Sequence, residues 1–186
     1  MSMNWEFSFL YLLQELHNPV LDKIMLFITS LGNGGLFWIG VAVLMVFFKK
    51  YRKCAFSIGI ALILMELIGN GIVKELVMRD RPCWIDPTVE LLLKAPSSYS
   101  FPSGHTFAGF AASVTIFLNH KKEGIAAIVV AALIAFSRMY LFVHFPTDIL
   151  GGILFGIGVA LLVYFGMTKL LASAFWNKIT QKKNAA

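Results

Sequence analysis

Cysteine and charge are both scarce in this chain. Only two cysteines occur among its 186 residues, Cys54 and Cys83. Cys54 opens an apolar segment and Cys83 lies just past its far end, so the two are expected near opposite faces and out of disulfide reach. Two thiols without metal-ligand spacing also argue against a zinc or cluster framework. Charged residues make up 14% of the sequence against 58% hydrophobic, and mean hydropathy is +0.76. A soluble domain seldom has such values; an integral membrane protein does. The sequence has no internal repeat and no low-complexity tract. No basic patch precedes an apolar run near the N-terminus, which carries Trp5, Glu6 and Glu15 instead. The first span is therefore expected to act as its own insertion signal.

The formal charge of +6 raises the question of nucleic acid. Most basic residues, however, fall in short turns between apolar runs, which is the pattern of membrane orientation, and no nucleic-acid partner is expected. Residues 3–16 place Trp5, Phe9, Leu12, Leu13 and Leu16 on one helical side. Pro19 then opens a second short apolar run that ends at Gly32-Asn33-Gly34-Gly35. Both runs are shorter than the roughly 20 residues a span needs, so residues 1–33 are expected as interfacial or half-inserted helices. The alternative is that residues 19–31 complete a tilted span. Residues 34–172 are expected to form the membrane bundle, with spans at 34–48, 54–78, 103–118, 124–143 and 147–171. Residues 173–186 then form a polar tail. The fold class is all-α: a polytopic helix bundle of about five to six spans. Ten cations fall on one side (Lys49, Lys50, Arg52, Lys53, Lys121, Lys122, Lys169, Lys178, Lys182 and Lys183) and six on the other (Lys23, Lys74, Arg79, Arg81, Lys94 and Arg138). The richer side, with the tail, is expected to be cytoplasmic.

The chemistry-bearing residues gather on the other side. Lys74 and Arg81-Pro82 stand seven residues apart, about two helical turns, so a helix persisting to Arg81 would present both cations on one face. Pro102-Ser103-Gly104-His105 opens a span, where unpaired N–H groups and the macrodipole favour an anion. Ser137-Arg138 is followed by His144 and, after Pro146, by Asp148 in the first turn of the last helix. A carboxylate on one imidazole nitrogen fixes the tautomer and leaves the other nucleophilic. Each element alone has a structural reading: a snorkelling lysine, an ordinary serine cap, a buried His–Asp pair. Together they supply cations, N–H donors, an activated nucleophile and a proton donor, the parts that phosphoryl transfer needs.

The pattern Lys-x6-Arg-Pro, Pro-Ser-Gly-His and Ser-Arg-x5-His-x3-Asp, intact and in order across residues 74–148, resembles the type 2 phosphatidic acid phosphatase superfamily. The resemblance implies that His144 attacks phosphorus to form a phosphohistidine, that Asp148 orients it, and that His105 protonates the leaving oxygen and then activates water. It implies that Lys74, Arg81, Ser103, Gly104 and Arg138 hold the phosphate oxygens, with no metal or other cofactor.

Glu66, Asn70 and Lys74 recur every four residues on one helical face, and Glu66 is expected to face the bundle interior as a structural partner. His17 and His120 read as interfacial; Arg79 and Asp80 are assigned no role beyond shaping the loop. Trp84 and Leu91-Leu92-Leu93 are candidates to line a lipid entrance. A phospholipid or isoprenoid diphosphate is the implied substrate and the membrane the implied partner. Undecaprenyl diphosphate, reached at the outer face of the cell membrane, is favoured by family analogy over phosphatidylglycerol phosphate and phosphatidate. A phosphatase for soluble esters, a transporter or an inactive scaffold are the competing readings, with a vanadium-dependent peroxidase more remote.

Overall fold

Apolar runs punctuated by glycine, proline and basic turns fold as helices throughout residues 4–184, the part of the chain that the computed structural model describes, and no strand occurs among them. Residues 1–3 and 185–186, the ends of the expected flanking segments, lie outside the described residues. So do the side chains of Ala172 and of residues 174–184, including Lys178, Lys182 and Lys183.

Helices α1 (Asn4–Gln14) and α2 (Pro19–Leu31) come first. The Asn18 side chain caps α2 by accepting from the Val20 and Leu21 N–H groups, and Pro19 fills the first position, where no N–H is needed. A turn at Asn33–Gly35 follows, with Gly34 at φ 58° and Gly35 at φ 67°. Only glycine adopts that left-handed pair cheaply. The turn feeds α3 (Leu36–Val46), and the helices on either side of it are bent by 48°. Neither α2, with 13 residues, nor α3, with 11, is long enough to cross alone. The bent pair is long and apolar enough for one broken span. The bent pair is also compatible with a re-entrant loop, and the alternative in which 19–31 contributes to a crossing fits its combined length.

Helix α4 (Arg52–Met65) runs on through a π-helical stretch, Glu66–Val73, into α5 (Lys74–Val77). Met78, at φ 47°, stops it. Arg81 is extended (φ −82°, ψ 152°), as a residue before proline tends to be, and α6 (Pro82–Ile85) follows. The helix therefore does not persist to Arg81, and helical periodicity is not what brings Lys74 and Arg81 together. After the loop come α7 (Gly104–Asn119), α8 (Lys121–Tyr140) and α9 (Pro146–Asn184). The segments Arg52–Ile85, Lys121–Tyr140 and Pro146–Leu171 are each long and apolar enough to span. α7, at 16 residues, is shorter, yet it is the axis of the bundle: Phe107, Ala111, Ala112 and Thr115 are fully buried.

Small residues let α7 approach its neighbours closely. A Cβ on Gly152 of α9 would lie 2.9 Å from the Ser103 carbonyl oxygen, and one on Gly156 would lie 2.9 Å from Ala111 N and 3.0 Å from Phe107 O. Gly109 of α7 faces Ala131 of α8 in the same way. At one end of the bundle Tyr51 donates to Glu123. At the other, α1, the 79–103 loop and the 141–145 loop converge.

Gly156→Leu is expected to cost about 1–3 kcal/mol of stability and so to lower the unfolding midpoint in detergent, because backbone atoms cannot yield to the new side chain. Gly158→Leu, where a Cβ meets nothing within 4 Å, is the control and should leave the midpoint in place. Equal midpoints for the two variants would refute close α7–α9 packing.

Candidate active site

A cavity of about 520 Å³ opens at the loop end of the bundle, lined by Lys74, Arg81, Gly104, His105, Arg138 and His144 together with Glu66 and Asn70. Three elements set its cations. Lys74 heads α5, and its Nζ donates to Ser98 Oγ at 3.2 Å. Arg81 projects from the extended residue before Pro82, and Arg138 comes from the last turn of α8, where Nη1 donates to Thr29 Oγ1 at 2.7 Å. Arg138 lines the cavity, and its Nε is buried with no partner among the described residues. Gly104 lies at the head of α7, where a side chain would project toward Asn70 and Lys74. The glycine keeps that space open beside the helix's first N–H groups.

His144 sits in the loop between α8 and α9, 1% exposed. Arg81 Nη1 approaches its Nε2 at 3.0 Å and donates to Val143 O at 2.8 Å. A guanidinium only donates, so Nε2 is the acceptor and Nδ1 carries the proton. Nδ1 lies 3.3 Å from Ser100 Oγ and 3.5 Å from Asp148 Oδ2, and Ser100 Oγ in turn donates to Asp148 Oδ2. The link between imidazole and carboxylate thus runs through a serine hydroxyl. Asp148 Oδ2 also accepts from the Phe145 N–H at 2.8 Å, and its Oδ1 accepts from Arg79 Nη1 at 2.7 Å. Burial, reinforced by Arg81, Arg138 and Lys74, holds the His144 imidazole well below its usual protonation range. Across the cavity, His105 Nε2 is 3.0 Å from Asn33 Oδ1, and a Cβ on Gly32 would lie 2.4 Å from the His105 ring. The turn between α2 and α3 therefore seats this histidine.

Residues 50–171 match the PAP2 superfamily, about two thirds of the chain. The chain belongs to the PAP2 superfamily. Among its relatives is an undecaprenyl-diphosphatase of Sulfolobus acidocaldarius, 33% identical over 144 residues that cover 76% of this chain and 68% of the other. Undecaprenyl-diphosphatase BcrC of Bacillus subtilis is 30% identical over 89% of this chain and 90% of its own. The transmembrane PAP2-type phosphatidylglycerolphosphate phosphatase from Bacillus subtilis superposes with a TM-score of 0.70 at 27% identity, covering 90% of this chain and 89% of that one. The sequence resemblance is confirmed: this is an all-helical membrane protein among PAP2 lipid phosphatases.

Seven of the eight motif residues of this PAP2 chain lie together: six line the cavity and Asp148 stands behind His144. Ser103 is the exception. Its Oγ lies 3.0 Å from Thr106 Oγ1 and caps α7, its N–H donates to Asp148 O at 3.1 Å, and the side chain is fully buried. The hydroxyl is used inside the fold instead of facing the cavity. Glu66 also departs from expectation. It is exposed at the cavity wall instead of buried in the bundle, yet it shares that wall with Asn70 and Lys74, as the four-residue spacing expects, and it accepts from Asn70 Nδ2 at 2.6 Å. Leu91 and Leu92 pack into a core cluster around Tyr140 and Phe142, and Trp84 Nε1 donates to Pro96 O, so neither leucine nor the tryptophan lines the cavity. Leu93 does line a second opening, shared with His105 and Arg138. His17, expected to be interfacial, stacks on Tyr140 with ring centroids 4.3 Å apart. Ser100, Asn33 and Arg79 are the site residues that motif reasoning missed. The one sequence signal was an arginine and an asparagine set among apolar runs.

The depressed proton affinity of His144 gives a sign for titration. At pH 6, where a free imidazole is largely protonated, ¹⁵N NMR should show His144 still neutral with hydrogen on Nδ1. A doubly protonated ring at pH 7 would contradict the environment described.

Proposed function

We propose that this PAP2 protein hydrolyses undecaprenyl diphosphate to the monophosphate at the outer membrane face, without a metal and through a phosphohistidine. The observation that carries the reading is a buried imidazole, linked through Ser100 to Asp148, at the wall of a cavity that also holds three buried cations. The terminal phosphate lies among Lys74, Arg81, Arg138 and the N–H groups at Gly104, and gives up hydration for charge-assisted bonds. As Arg81 Nη1 turns its hydrogen bond from His144 Nε2 to a phosphate oxygen, the freed Nε2 lone pair attacks phosphorus, the bond to the bridging oxygen breaks, and His105 gives that oxygen a proton. Asn33 accepts from His105 Nε2–H, so Nδ1 is the nitrogen that loses and regains the proton. Water then attacks the phosphohistidine, His105 takes its proton, the P–N bond breaks and inorganic phosphate leaves. Asp148 orients His144 and offsets its charge while the phosphoryl group is attached. Ser103 contributes through the helix end it caps. Lys74, Arg81 and Arg138 supply the electrostatic stabilisation that a metal would otherwise give.

A second feature favours a lipid over a soluble ester. An apolar groove of about 500 Å³ between α3 and α4, lined by Ile39, Val43, Val46, Leu62 and Ile63, shares Gly34, Gly35, Met65 and Glu66 with the cationic cavity. A phosphate at the cations can thus keep its chain in apolar surroundings. Two undecaprenyl-diphosphatases among the relatives favour the isoprenoid; the phosphatidylglycerolphosphate phosphatase keeps that lipid as the alternative. The basic turns at 49–53 and 121–122 lie at the end of the bundle away from the cavity, which supports a site facing outward.

Purified protein with chelator present should release phosphate from undecaprenyl diphosphate faster than from phosphatidylglycerol phosphate, phosphatidate or a soluble ester. His144→Ala should lose at least about 10³-fold in kcat and trap no acid-labile phosphoenzyme. Activity that vanishes with chelator, or an active alanine variant, would sink the mechanism. A cysteine at Glu90 should react with an impermeant maleimide on intact cells, and one at Lys121 only after lysis; the reverse would overturn the orientation.

A further inference from the structure

Glu6 lies in α1, outside residues 50–171 that match the family, yet it is 5% exposed and linked to the reaction centre. Its Oε2 accepts from Arg79 Nη2 at 2.6 Å, and Arg79 Nη1 donates to Asp148 Oδ1 at 2.7 Å. Its Oε1 accepts from Thr147 Oγ1 at 2.7 Å and from the Thr147 N–H at 3.2 Å, in the first turn of α9. Arg79 also donates to Thr147 Oγ1, and its guanidinium lies 4.2 Å from the centre of the Phe145 ring. A planar cation is thus held between two carboxylates and an aromatic face, a geometry that suits arginine and not lysine.

The charges decide what this arrangement does. Arg79 alone would cancel Asp148, leaving no net negative charge behind His144. Glu6 adds a second carboxylate, so the group of Asp148, Arg79 and Glu6 carries one net negative charge. That charge is needed only once His144 has attacked and its ring has become cationic. We infer that Glu6 and Arg79 are positioning residues for the phosphatase reaction, fixing the Asp148 carboxylate while Glu6 preserves the net charge that stabilises the phosphohistidine. The inference rests on the phosphatase reading above. It makes α1 a functional part of the site as well as an interfacial segment. An interaction that strengthens as His144 becomes charged lowers the barrier and leaves substrate binding nearly unchanged.

Glu6→Gln keeps the shape and an acceptor for Thr147 while removing the charge. It should lower kcat about tenfold, as loss of a supporting shell typically does, with KM within about twofold. The double variant Glu6→Gln/Arg79→Gln returns the group to one net negative charge while losing the Arg79 tether on Asp148, so it should recover kcat part of the way, above Glu6→Gln and below the unchanged protein. Tyr11→Phe removes a different α1 tether, the hydrogen bond to Asp86, and should change neither constant. The double variant leaves no arginine unpaired, so it remains informative where Glu6→Gln alone is recovered poorly. A Glu6→Gln protein with unchanged kcat, a double variant slower than the single one, or an equal loss in Tyr11→Phe overturns the inference. Failure of the unchanged protein to hydrolyse any lipid phosphate would instead sink the parent reading.

Discussion

Arg81 ties together two loops that no helix or ladder joins. Its Nε and Nη2 donate to the Ser98 and Tyr99 carbonyls, and its Nη1 donates to the Val143 carbonyl and meets His144 Nε2. Irregular backbone at a membrane end is tolerable only where its carbonyls find donors. A single planar fork with donors on every edge provides them for the 96–100 and 141–145 loops at once. Pro82 makes the geometry possible by keeping Arg81 extended, so that the side chain leaves the chain sideways instead of following the α5 helix axis. The same contact marks the Nε2 lone pair, so the residue that closes the fold also defines the point of attack.

Burying Lys74, Arg81 and Arg138 without one carboxylate per cation is unfavourable. The carboxylates that are buried, Asp148 and Glu6, lie on the far side of His144. The imidazole therefore stands between a positive cavity and a negatively charged support. An anion in the cavity relieves repulsion among the cations, and a positive imidazole is stabilised from behind. Neither change needs large movement, because the groups are already packed in place.

Much of this was legible in the sequence because phosphate chemistry restricts residue type. Lys74, Arg81, Gly104, His105, Arg138, His144 and Asp148 could be named from motifs alone, and the apolar runs announced the bundle. Helical arithmetic failed where the backbone left the α-helix. The left-handed Met78 uncoupled Arg81 from Lys74. Ser103 could not be resolved from the motif, because a cap and a ligand call for the same residue. Ser100, Asn33 and Arg79 were invisible for a different reason. Each works through a partner 44 to 73 positions away, a pairing set by loop paths that local pattern does not encode.

The break between α2 and α3 then acquires a physical meaning. Backbone inside a membrane abandons helical pairing only where it lines protein or a cavity, and Gly34 and Gly35 sit on the wall shared by the cationic cavity and the apolar α3–α4 groove. A straight helix through 19–46 would carry side chains across that boundary and could not turn Asn33 toward His105. On the proposed reading, a lipid whose phosphate meets the three cations places its first apolar carbons at the level of this turn. The bend that spoils a simple count of spans is thus where the headgroup and the chain of the substrate would part company.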